Sequence, residues 1–218
     1  MHISEGVLSS QVLGAGALLA AGGLAVGLRL MDNRRVPEVA VVASALFVAS
    51  LIRFPLGPAS VHLTLNGLAG ILLGWMAFPA VFVALLLQAL LFQFGGFTTL
   101  GVNTVVMALP AVIAHIICRP LLCSQVGGPG PGGPGGRSAA VWAGGIAGAV
   151  GVAGGAMLIA ISLMATERSF KALTLAFAAT HVPVLVVESA VTAFVLAFLW
   201  KVKPELLMLN GKCADSDE

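Results

Sequence analysis

The sequence predicts an all-α integral membrane protein of about seven transmembrane helices, with its N-terminus outside and its C-terminus cytoplasmic. Three observations carry that expectation. Of 218 residues, 59% are hydrophobic and only 9% charged, against about 25% charged in soluble domains, too little to cover a water-facing surface. Apolar stretches near the ~20 residues needed to cross a bilayer recur along the chain. Lys and Arg fall unevenly among the connecting segments, which sets an orientation. The net charge of +2 gives no argument for a nucleic-acid partner.

The candidate helices follow in order. The first is about Leu8 to Leu30, the second about Val36 to Ile52, and the third a short one from His62 to Met76. The fourth runs Phe78 to Phe94, close behind the third, with Pro79 tolerated at its opening turn. The fifth runs Val102 to Leu122, the sixth Ala139 to Ala165 and the seventh Leu175 to Leu199. With the N-terminus outside, Arg29, Arg34, Arg35, Arg119, Arg137, Lys201, Lys203 and Lys212 lie inside, and only Arg53, Arg168 and Lys171 outside. No basic region precedes the first apolar stretch, so that helix is expected to enter with its tail outside and uncleaved.

The chain reads as one domain, 1–218. Residues 124–137, "SQVGGPGPGGPGGR", are too rich in Gly and Pro to pack and are expected to form a flexible cytoplasmic linker. The polar tail, 210–218, is expected to fray. Gly144 and Gly148 have the GxxxG spacing that lets helices approach closely, either within the chain or as a sliding contact with a partner. Cys118, Cys123 and Cys213 form no CxxC and are expected to be reduced thiols on the cytoplasmic side.

Polar residues inside membrane helices are costly, so each needs an account. On the N-out arrangement His2, His62 and His181 lie toward the outer face, and His115 lies in the inner half of the fifth helix. Asn66 follows His62 by four residues and Glu188 follows His181 by seven, each pair on one helix face. The stretch "RFPLGPASVHL", which includes Ser60, reads as an outer loop stiffened by Pro55 and Pro58 that delivers His62 at a helix start.

Met1 and His2 together offer a chelate. His2 is too large for the usual removal of Met1, and a free α-amine has a pKa near ~7.7–8.0, low enough to give up its proton to a metal. From that amine, the His2 backbone nitrogen closes a five-membered ring, and the His2 imidazole Nδ1 closes a six-membered one. One planar position remains, and a second imidazole would fill it. His62 is the first choice and His181 the second. Four nitrogens in a plane suit Ni(II) or Cu(II). The bland alternatives are a solvated His2 and a His62 that only hydrogen-bonds; His115 and Glu188 read as satisfied interior groups.

"MHISEGVLS" at the N-terminus, "PLGPASVHLTLNGLAGILLGWMAFPA" and "FGGFTTLGVNTVVMALPA" closely resemble the CbiM/NikM family, the substrate-capture (S) components of energy-coupling factor (ECF) transporters for cobalt and nickel. The resemblance runs from Met1 to about Pro120 and more loosely through the seventh helix. It implies a six-helix S-component core plus an extra N-terminal helix, in a prokaryotic plasma (inner) membrane. It implies metal held by the Met1 amine, the His2 amide nitrogen, the His2 imidazole and His62, on the extracellular or periplasmic side. Asn66 and Asn103 match polar positions of the family's motifs and are candidates for a supporting shell, to which the residue-by-residue reading adds Ser60, His181 and Glu188. The implied partners are a transmembrane coupling (T) protein, ABC-type ATPase subunits and a small accessory membrane subunit. The sequence departs from many relatives at Val106, where they carry Asn.

The expected function is capture of Ni(II) or Co(II) as a transported substrate, with no cofactor and no catalysis by this chain. A cobalt importer of this kind would feed cobalamin biosynthesis. No GxxxxGK[ST] occurs in the sequence, so ATP hydrolysis is assigned to partners. The rival readings are a gradient-driven metal transporter or channel, which needs a polar path across the bilayer, and an intramembrane metal-dependent enzyme, which needs a motif such as HExxH that this chain lacks.

Overall fold

The computed structural model describes residues 3–56, 59–123, 134–166 and 171–208; the side chains of 53–61, 134–135, 171–180 and 208 lie outside that description. The helices are α1 (Ser10–Arg29), α2 (Val36–Leu51), α3 (Asn66–Leu73), α4 (Ala77–Phe92), α5 (Leu100–Cys123), α6 (Pro134–Thr166), α7 (Lys171–Val202) and the short α8 (Glu205–Met208). Two strands, β1 (Arg53–Leu56) and β2 (Ala59–His62), pair antiparallel between α2 and α3, with Arg53 opposite His62 and Pro55 opposite Ser60.

The hairpin is a short interruption of an otherwise helical fold, as expected, and it corrects the place of His62. The residue ends β2 and does not open a helix; α3 begins four residues later, at Asn66. His62 and Asn66 therefore do not share a helix face. Pro55 and Pro58 explain why this stretch is not helical, since proline lacks an N–H and biases the preceding residue toward extended backbone. Elsewhere the helices match the apolar stretches closely. The largest departures are the longer ends of α6 and α7: α6 takes in Pro134–Arg137, assigned above to the linker, and Gly136 packs against the Trp200 ring. Residues 124–133 and 209–218 lie outside the described residues.

Packing fixes how the helices run. Ile3, Val102, Leu163 and Val184 share one apolar cluster. Leu122, Ala140, Trp200 and Leu207 share another. So α5 and α7 run the same way and α6 returns between them. Gly16 of α1 lies against Val102, and Gly27 against Pro79 and the Trp75 carbonyl, so α1 parallels α5 and ends where α4 starts. The Phe47 and Phe92 rings, 5.9 Å between centroids, join the far ends of α2 and α4. Ile3 thus sits at one end of the bundle and α8 at the other. Arg29, Arg34, Arg35, Arg119, Arg137, Lys201 and Lys203 lie toward the α8 end.

Five stretches of the described residues are long and apolar enough to cross a membrane: Ser10–Arg29, Asn66–Phe92, Leu100–Cys123, Gly136–Thr166 and His181–Val202. The second is not one rod. At Gly74, φ is +57°, a conformation open to glycine, and the 3-10 turn Gly74–Met76 sends α4 back toward the Ile3 end. The eight residues of α3 reach only ~12 Å at 1.5 Å per residue, well short of a bilayer core.

Such a helix ends in the interior, where unpaired backbone groups are expensive. At its C-terminal end the Arg35 guanidinium donates to the Leu72 carbonyl at 3.2 Å, and His115 hydrogen-bonds the backbone of Gly70 and Ile71. Arg35 is itself paired with Glu38 at 2.9 Å. The Arg35 charge at this helix C-terminus also suits its dipole.

Close backbone contacts join α3, α5, α6 and α7. A Cβ on Gly70 would overlap the Ala111 carbonyl, and Cβ atoms on Gly144 and Gly148 would meet the α7 backbone at Ala193 and Ser189. The GxxxG pair is therefore packing within the chain. Cys118 is a buried free thiol.

Gly70→Val should push α3 off α5 and cost about 1–3 kcal/mol, the usual range for overpacking. Gly22→Val, where a Cβ meets nothing within 4 Å, should be close to neutral. Thermal unfolding of the purified protein in detergent measures both.

Candidate metal centre

The segment after His2 is held firmly. Ile3 is buried, its N–H donates to Asn103 Oδ1 at 2.9 Å, and its carbonyl accepts from Asn103 Nδ2 at 3.1 Å. One side-chain amide thus reads the backbone of residue 3 as a neighbouring strand would. Asn103 Nδ2 also donates to Thr99 Oγ1 at 3.2 Å. Two residues on, the Glu5 N–H donates to the Gly95 carbonyl at 3.1 Å, and Glu5 Oε1 accepts from the Thr98 N–H at 3.1 Å. A carboxylate at Thr98, just before α5, meets the positive end of that helix. Ser9 N–H donates to Thr166 Oγ1 at 3.3 Å. Residues 3–9 are therefore tied to the 95–98 loop, the start of α5 and the end of α6. Met1 and His2 lie outside the described residues.

His62 comes to the same end of the bundle. It is 9% exposed, and its Nδ1 is 3.2 Å from the Leu63 carbonyl. A carbonyl can only accept, so this contact assigns the proton to Nδ1 and the lone pair to Nε2. A metal-ligating histidine is oriented by just such a bond on its other nitrogen.

The turn that follows is built around Glu188 of α7, which is fully buried. Its Oε1 accepts from both the N–H and the hydroxyl of Thr64, and the Leu65 N–H lies 2.9 Å from Oε2 and 3.0 Å from Oε1. Leu65 has φ +50°, the left-handed region that a non-glycine residue rarely adopts. Its carbonyl accepts from Ala69 N–H at 2.9 Å, the first turn of α3. Val184, in the Ile3 cluster, precedes Glu188 by four residues, about one helical turn or ~6 Å along α7. The His62 turn and the Ile3 segment are thus linked through α7.

The remaining expected residues fall into place differently. Asn66 opens α3, is fully buried, and has no hydrogen-bond partner for either amide atom among the described residues. His181 is buried beside an apolar cavity of about 310 Å³ between α6 and α7, lined also by Val152, Ala156, Met157 and Leu185. Ser60 pairs with Pro55 across the hairpin, and its side chain lies outside the described residues. No group of three or more His, Cys, Asp or Glu able to hold a metal occurs among the described residues. Sequence reasoning missed Thr64, Thr98, Thr99 and the role of Glu5. The available signal was the Thr cluster just before Leu100, of the kind that starts helices.

Bundle and anchored N-terminal segment together define a multi-pass helical membrane protein. The chain belongs to the CbiM family: the family model, described as the cobalt uptake substrate-specific transmembrane region, matches residues 2–206. A protein of Haemophilus influenzae named for metal transport is 44% identical over 208 residues, covering 95% of this chain and 97% of that one. The cobalt transport protein CbiM of Sorangium cellulosum is 31% identical over 224 residues, covering 95% and 94%. The fused nickel transport protein NikMN of Rhodobacter capsulatus is 36% identical over 124 residues, covering 53% of this chain and 36% of that one. A crystal structure of a transition metal transporter has the same fold, with TM-score 0.62 and 21% identity over 97% of this chain and 100% of that one.

Replacing Asn103 with Leu should release the N-terminal segment. Two buried backbone groups of Ile3 would lose their partners, at about 1–3 kcal/mol each. Hydrogen–deuterium exchange at residues 3–6 should then speed up by at least about tenfold, a factor equivalent to 1.4 kcal/mol.

Proposed function

We propose that this chain is the metal-binding S component of an ECF-type ABC importer for Ni(II) or Co(II). The ion sits in a plane of four nitrogens: the Met1 amine, the His2 amide nitrogen, the His2 imidazole and the His62 imidazole. The observation that supports this reading most is the double hydrogen bond between Asn103 and the backbone of Ile3. It anchors the residue next to His2 at the end of the bundle where His62 is also found.

The chemistry follows from that ligand set. The ion loses its waters and the ligands release protons; the amide nitrogen must lose its own, which Ni(II) promotes better than Co(II). Asn103 contributes by fixing where the chain leaves His2, and Leu63 by fixing the His62 tautomer.

In this reading the N-terminus and the site lie outside and α8 lies in the cytoplasm. The gathering of basic residues at the α8 end supports that orientation. ATP is hydrolysed by partner subunits, a reading supported by the lack of a GxxxxGK[ST] motif in the sequence; a coupling T protein transmits the work. The fused relative NikMN, of which the match covers 36%, supports association with further membrane subunits.

His62→Ala should remove most bound metal, read as metal per purified protein by elemental analysis. Acetylating the Met1 amine should do the same with every side chain intact. Unchanged loading in His62→Ala, with loss in His181→Ala, would move the site to α7. Unchanged loading after acetylation would remove the terminus from the site.

Binding should weaken on acidification, because amine, amide and imidazoles must all be unprotonated to bind. With the amine near ~8 and a free imidazole near ~6.5, affinity should already fall below about pH 8 and fall more steeply below about pH 6.5. A flat affinity across mildly acidic to mildly alkaline buffer would point to carboxylate or carbonyl ligands instead.

A further inference from the structure

We propose that Glu188 is the positioning residue of the metal centre, holding His62 on station through the Thr64–Leu65 turn; this rests on His62 being a ligand. Only Leu63 separates His62 from Thr64, the first of the carboxylate's anchor points. Three donors converge on that carboxylate, the Thr64 N–H, the Thr64 hydroxyl and the Leu65 N–H. Hydrogen bonds to a charged acceptor are the strong ones; those from Thr64 are buried and that from Leu65 is part-buried.

Plain capping of α3 accounts for part of this. The first N–H groups of a helix need acceptors, and a carboxylate suits a helix N-terminus. Capping by itself does not require Leu65 to be left-handed. That conformation is costly for a β-carbon-bearing residue and persists only where its surroundings impose it. Here it directs the chain from the end of β2 into α3, and so fixes the direction in which residues 62 and 63 leave the turn. Glu188 comes from a helix 124 residues later in sequence. The position of His62 is thereby coupled to α7, and through Val184 to the apolar cluster that holds Ile3. One helix registers both halves of the proposed ligand set.

Without the carboxylate, Leu65 relaxes toward an ordinary conformation and the imidazole withdraws from the plane. A metal held by the three N-terminal nitrogens would then take water as its fourth ligand.

The test uses the full-length protein in detergent with one equivalent of Ni(II) or Cu(II), reading both affinity and the visible or paramagnetic-resonance signature of the bound ion. Glu188→Gln is nearly isosteric and keeps one oxygen for Thr64, but turns an NH2 toward the Leu65 N–H. It should bind at least about tenfold more weakly, as loss of a charged hydrogen bond implies, with a signature shifted toward that of His62→Ala. Glu188→Asp, which restores both oxygens, should recover part of the affinity and the signature. Thr64→Val, which removes one neutral donor, should weaken binding about threefold.

A folded Glu188→Gln protein with wild-type affinity and signature would overturn the inference. So would weaker binding with an unchanged signature, which would mark a structural role only. Should Glu188→Gln not fold, unchanged binding by Thr64→Val and Glu188→Asp would overturn it equally. If His62→Ala itself leaves the signature unchanged, the reading of the site fails first. If His62→Ala changes the signature and the Glu188 variants do not, only this inference fails.

Discussion

A helix of eight residues that begins and ends inside a bundle must have both ends satisfied by side chains, and α3 is such a helix. Arg35 and His115 serve its C-terminal carbonyls, and Glu188 serves the N–H groups of Thr64 and Leu65 that lead into its start. Water cannot substitute in an apolar interior. Much of the architecture is arranged around this requirement. The turn between α1 and α2 supplies Arg35, the middle of α5 supplies His115, and α7 supplies Glu188. Close approach of α3 to α5 and α6, allowed by Gly70 and Gly67, holds the helix where those groups can reach it.

The same end of the bundle carries a second set of long-range hydrogen bonds. Asn103 and the 95–98 loop fasten residues 3–5, as Thr166 fastens Ser9. An N-terminal segment of a membrane protein is ordinarily among the first to fray. Here it is treated as part of the core, with Ile3 and Leu8 buried among α5, α6 and α7. In the proposed site this matters because three of four ligand atoms belong to Met1 and His2. A chelate made by a chain terminus is only as well placed as the residue that follows it.

Much of the architecture was legible in the composition. The apolar stretches gave the helices because a low-charge chain has few other solutions, and the distribution of Lys and Arg anticipated their gathering at one end. Asn103 and Glu188 could be singled out because polar groups in membrane helices need a reason. Their partners could not be read, since Ile3 lies 100 residues from Asn103 and Thr64 124 from Glu188. The hairpin was misread as a loop leading into a helix. The stop signal at Leu65 is a tertiary one, made by Glu188, and nothing local to "SVHLTLN" announces it. The start of α6 at Pro134 was hidden for a similar reason: Gly136 reads as linker until Trp200 is found against it. The 310 Å³ cavity beside His181 had no sequence signature at all.

The central claim, a planar four-nitrogen site that includes the chain terminus and His62, is tested most directly by X-ray absorption spectroscopy of the Ni(II)-loaded full-length protein. The account predicts a square-planar signature with four nitrogen neighbours and the multiple scattering of two imidazoles. His62→Ala should lose one imidazole contribution. A six-coordinate, oxygen-dominated environment, or a spectrum indifferent to His62, would contradict it.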